Sequence, residues 1–121
     1  MNFNRLKKSF GFALTGINYA LNSDQNLFIH FIVAFLVIIA SIFFGLYTLE
    51  MAILGLTILM VSTAELLNTS VEKAIDLVTK EHRTDARIAK DVASGMVLIV
   101  AMGSIIIGVL IFLPHIIKLF R

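Results

Sequence analysis

The chain has 121 residues, enough for one domain, and 59% of them are hydrophobic. With a mean hydropathy of +0.95 it lies well beyond an ordinary soluble domain, which is roughly 45–50% apolar. Cysteine is absent, which excludes disulfides and thiolate metal sites, and a formal net charge of +2 is too small to argue for a nucleic-acid partner.

The first predicted element is a helix over residues 3–21. Phe3, Leu6, Phe10, Leu14, Ile17 and Leu21 recur at three- and four-residue spacing, while Arg5, Lys8, Ser9, Thr15 and Asn18 lie mostly elsewhere on the helix. A basic amphipathic helix of this kind lies at the headgroup level of a membrane. Three segments follow that are long enough to span a bilayer, which takes roughly 20 apolar residues. They cover about residues 29–48, 51–72 and 92–113. The link between the first two is very short, so they form an antiparallel hairpin. Residues 72–91 are read as the main polar connection, and Pro114 as the end of the third span. The expected fold is therefore an all-α integral membrane protein with one surface helix and three transmembrane helices.

Lysine and arginine set the expected orientation. Arg5, Lys7 and Lys8 precede the first span, and Lys73, Lys80, Arg83, Arg87 and Lys90 lie between the second and third. With three spans both groups fall on one side, so the N-terminus and the 72–91 connection are expected to be cytoplasmic.

The second span carries the chemistry. In Glu65-Leu-Leu-Asn68-Thr-Ser-Val-Glu72-Lys-Ala-Ile-Asp76, residues 65, 68, 72 and 76 fall within an arc of roughly 80° on a helix turning about 100° per residue. Three carboxylates and an amide thus form one stripe at the membrane edge. A charge at mid-bilayer costs roughly 2.5–3.5 kcal/mol, so an intramembrane carboxylate points to function. No phosphate-binding glycine loop, dinucleotide fingerprint, zinc-protease motif or nucleophile elbow is present. Carboxylates beside Lys and Arg at a membrane face suit magnesium and phosphate. Phosphoryl transfer asks mainly for positioning, charge neutralisation and a base for the attacking hydroxyl. The alternative from another class is a small transporter, in which Glu65 would relay protons or bind a cation.

The string from Glu65 to Asp76, followed by Ala89-Lys90-Asp91, resembles the prokaryotic diacylglycerol kinase family, and within it the undecaprenol kinase branch. The resemblance covers almost the whole chain, including Arg5, Ser9-Phe10, Ala13, Gly16, the stretch from Asn26 to His30, and Phe112-Leu-Pro114. It implies a homotrimer in the bacterial plasma membrane, with active sites shared between subunits at the cytoplasmic interface. It also implies ATP- and magnesium-dependent phosphorylation of a lipid alcohol, with undecaprenol the leading substrate and diacylglycerol the alternative. Glu65 matches the family's general base and Glu72 its metal ligand. Asp24 matches a second metal ligand, but the family usually has glutamate there and aspartate is one methylene shorter. An acidic residue at that place also suits a helix N-cap. Asn68 can position Glu65 or the lipid hydroxyl, or bond a neighbouring membrane helix, and His30 resembles a family position near the headgroup. Lys90 and Asp91 match nucleotide contacts, and Arg5, Glu81, His82 and Arg83 align with positions lining the nucleotide. Asp76 is read as holding Lys90 or organising the connection.

Overall fold

The computed structural model describes all residues 1–121 and consists of four helices. They are α1 (Phe3–Ser23), α2 (Gln25–Phe44), α3 (Thr48–Val78) and α4 (Thr84–Leu119). No strand is present. The last three are long and apolar enough to cross a membrane.

Local chemistry sets the joints. Asn2 caps α1 by accepting the Asn4 N–H at 3.1 Å. Asp24 is the one residue between α1 and α2; its extended backbone breaks the helix and its side chain caps the next. Gly45 ends α2 in the left-handed conformation, φ 62°, the only positive φ in the chain. Glycine takes it without the Cβ clash that other residues meet there. The hairpin is then closed by Tyr47, whose N–H donates to Glu50 Oε1 at 3.0 Å at the start of α3.

Two boundaries differ from the sequence reading. The polar stretch 72–91 is almost all helical: α3 runs to Val78 and α4 starts at Thr84, leaving residues 79–83 as the connection. Its Glu, Lys, Ala and Arg are strong helix formers, so charge there marks the end of the membrane rather than the end of the helix. Nor does Pro114 end the last helix, which continues to Leu119. The turn beyond the proline is tied down by His115, whose Nε2 lies 3.1 Å from Glu50 Oε2 on α3. Apolar surroundings also favour keeping the remaining backbone bonds over exposing them.

The spans pack loosely within one chain. Only 11 of 121 residues are buried, so most of the apolar surface is left for lipid or neighbouring subunits. The one apolar cluster joins Leu46, Leu54 and Ile111, flanked by Val37, Phe44, Ile107 and Phe112, at the hairpin end. Along α1, Phe3, Leu6, Phe10 and Leu14 stay exposed, and its buried residue is Ala20, near the junction with α2.

Candidate functional site

The site is built where the α1–α2 junction meets the middle of α3. Asp24 uses both carboxylate oxygens there. Oδ1 accepts the Asn26 N–H at 2.9 Å, and Oδ2 accepts the Thr69 hydroxyl at 3.1 Å. The second bond fixes the junction to α3. One turn earlier on the same face lies Glu65, at 1% exposure the most buried polar side chain. Its Oε1 lies 3.2 Å from His30 Nε2, and its carboxyl also faces that of Asp24. A buried carboxyl needs partners to offset desolvation; His30 on α2 is the one this fold provides. On the next turn Asn68 has a buried Oδ1 with no hydrogen-bond partner within the chain.

The carboxylate stripe is therefore split. Glu65 is buried beside the α1–α2 junction and Asn68 is half-buried, whereas Glu72 and Asp76 are exposed. Asp76 turns to α4, where Lys90 Nζ donates to its Oδ1 at 2.7 Å. Together they bound a polar cleft of about 840 Å³ between the ends of α3 and α4. Glu81, His82, Arg83 and Asp91 line the same cleft. Arg83 pairs with Glu81 at 3.3 Å, and Arg87 reaches Asp91 at 3.8 Å. All four of these groups are well exposed, so the pairs are weak, at about 0.2–1 kcal/mol, and open to a competing anion.

Arg5 joins neither group. It lies near the start of α1, 19 residues before Asp24, which at about 1.5 Å per residue is roughly 29 Å along the helix. Its side chain is exposed and lines neither the cleft nor the groove.

A magnesium ion is compatible with the donor chemistry. No group of three or more His, Asp or Glu side chains gathers into an all-protein cage. Magnesium rarely uses such a cage; it takes one or two carboxylates and completes its shell with phosphate oxygens and water. Asp24 and Glu72 offer that set: Asp24 is bonded to Thr69, and Glu72 is exposed, one turn further along α3.

An apolar groove of about 250 Å³ runs from His30, the partner of Glu65, into the span region. Its floor is the α3 face Leu54, Thr57, Ile58, Val61 and Ser62, whose helical spacing continues onto Glu65. The α2 wall begins at His30, and α4 contributes Ser104 and Gly108. Sequence reasoning missed this groove, because it depends on how three helices diverge. It also missed Thr69, although Thr69 is one turn from Glu65 in the same motif. The Glu50–His115 pair had no signal, since 65 residues separate its partners.

A profile of the prokaryotic diacylglycerol kinases matches residues 11–112. The chain belongs to the prokaryotic diacylglycerol kinase family. It is similar to an undecaprenol kinase of Bacillus subtilis (strain 168), with 40% identity over 111 residues, 92% of this chain and 90% of the relative. It is also similar to a diacylglycerol kinase of Synechocystis, with 38% identity over 112 residues; here it spans 92% of its own length but 64% of the relative's. Membership makes this a membrane lipid kinase and sets aside the transporter alternative.

Proposed function

We propose that this kinase transfers the γ-phosphoryl group of ATP to undecaprenol; the alternative acceptor is diacylglycerol. The observation that carries the reading is a buried carboxylate, Glu65, paired with His30, which lines an apolar groove. The acceptor's tail lies in the groove and leaves it sideways into the bilayer, and its hydroxyl comes up beside His30. His30 swings off Glu65 as the hydroxyl enters. Glu65 then takes the hydroxyl proton, the freed oxygen attacks the γ-phosphorus, and the bond to the ADP oxygen breaks. Asn68, on the next turn of α3, positions the hydroxyl oxygen, whose single proton is left to Glu65. Asp24 and Glu72 hold magnesium, which neutralises phosphate charge when bound. Lys90 serves as a point charge on the nucleotide phosphates, steered by Asp76. Asp91, Glu81, His82 and Arg83 line the nucleotide side.

In this reading the exposed spans assemble as a homotrimer, and Arg5 meets the nucleotide of a neighbouring subunit. The N-terminus and the 79–83 connection face the cytoplasm, where the excess of Lys and Arg belongs. The 40% identity to an undecaprenol kinase over nearly the full length of both chains supports the first-named acceptor.

The test is Glu65→Gln. The amide keeps the shape but cannot accept the proton, so turnover falls by about 10²–10⁴-fold, the usual worth of a general base. Nucleotide binding, followed by equilibrium titration, stays within a factor of about two. Turnover close to that of the parent protein removes Glu65 as the base. Assaying undecaprenol and diacylglycerol side by side with labelled ATP decides the acceptor: equal or greater turnover of diacylglycerol overturns the preference.

A further inference from the structure

We propose that Ser62 is a specificity-determining residue that recognises an oxygen acceptor just below the reacting hydroxyl of the lipid. The inference rests on the groove being the seat of the acceptor lipid. Three hydroxyl side chains line that groove: Thr57, Ser62 and Ser104. Two of them are already satisfied within their own helices. Thr57 Oγ1 donates to the Ile53 carbonyl at 2.8 Å, and Ser104 Oγ to the Ala101 carbonyl at 2.6 Å. Ser62 makes no such bond, although a helical serine can turn back to the preceding carbonyls. His30, the remaining polar group at the groove head, faces Glu65. Ser62 is thus the one unspent hydroxyl donor in a mostly apolar channel.

Its position sets what it can meet. Ser62 precedes Glu65 by three residues on the same face, about 4.5 Å along the helix axis. A lipid whose hydroxyl is at Glu65 therefore lays the next few bonds of its own structure over Ser62. In a 1,2-diacylglycerol those bonds carry ester carbonyls, which accept hydrogen bonds. In a polyprenol they carry methyl groups and double bonds, which do not. A hydroxyl in apolar surroundings gains most from the acceptor that relieves its desolvation. Ser62 accordingly favours glycerolipids and widens the acceptor range beyond polyprenols.

The experiment compares kcat/KM for dioctanoylglycerol and for a short polyprenol, using the full chain in mixed micelles with ATP and magnesium. Ser62→Ala shifts the ratio against dioctanoylglycerol by about three- to tenfold, the effect of one neutral hydrogen bond, and does so through KM. Ser62→Thr, which keeps the hydroxyl, restores the ratio. An unchanged ratio in Ser62→Ala overturns the proposal, whether both lipids lose activity or neither does. So does a parent protein that leaves dioctanoylglycerol unphosphorylated. Failure of the underlying groove reading is distinguished by Gly108→Leu, which narrows the same groove from α4. If it leaves KM for both lipids unaltered, the groove is not the lipid site. If it raises both while Ser62→Ala is silent, the groove stands and the role of Ser62 falls.

Discussion

Asp24 does two things with one side chain, and the two can be separated. Its Oδ1 caps α2 and its Oδ2 receives the Thr69 hydroxyl. Neither bond needs the negative charge: asparagine caps a helix about as well as aspartate, and its amide N–H can donate to the Thr69 hydroxyl oxygen in place of the bond from Thr69. Holding a divalent cation does need it. In Asp24→Asn, thermal unfolding in detergent should therefore move by no more than about 0.5 kcal/mol. The magnesium concentration for half-maximal activity should rise by at least the roughly 10–100-fold that losing even an outer-shell partner costs. Asp24→Ala should lose the cap as well, at about 1 kcal/mol. An unaltered magnesium dependence in the asparagine variant would reduce Asp24 to a cap.

At the scale of helices, the sequence was legible wherever apolar spacing speaks for itself. The stripe from Phe3 to Leu21 gives α1, and the uncharged runs give the three spans. The two misread boundaries share a cause. Charge at 72–91 and a proline at 114 are read locally as helix ends, whereas the fold overrides them with contacts distant in sequence, Asp76 to Lys90 and Glu50 to His115. The first of these ties the ends of α3 and α4 across the polar cleft. Both side chains are partly exposed, so the tie adds little to stability. Its effect should appear in nucleotide affinity, since it aims the Lys90 ammonium into the cleft. Asp76→Asn is expected to raise KM for ATP by about fivefold, the equivalent of roughly 1 kcal/mol, with kcat little changed. Steady-state kinetics over an ATP series checks this; a fall in kcat at constant KM would place Asp76 in the chemical step instead.

For the whole molecule, the governing fact is how little of it is buried by itself. The span windows of α2, α3 and α4 are 17%, 22% and 6% buried, so α4 in particular faces something other than this chain. The candidate site shows the same incompleteness: Asn68 Oδ1 has no partner within the chain, and Glu72 and Arg5 are exposed. The carboxylate stripe could be read from sequence because it is local to one helix. The groove could not, because it arises between three helices. Gly108 tests what fills it. A Cβ built there meets no atom within 4 Å, so a leucine enters open space. Leucine also suits a helix interior better than glycine by about 1 kcal/mol, so Gly108→Leu should fold at least as well as the parent. Its side chain takes up groove volume on the α4 side. If the groove seats the lipid tail, KM for the lipid rises about four- to fifteenfold, the cost of losing one or two buried methylenes at about 0.8 kcal/mol each. KM for ATP and the oligomeric state, measured by light scattering in detergent, stay as they were. If instead a neighbouring subunit occupies the groove, the oligomer dissociates and both substrates suffer together.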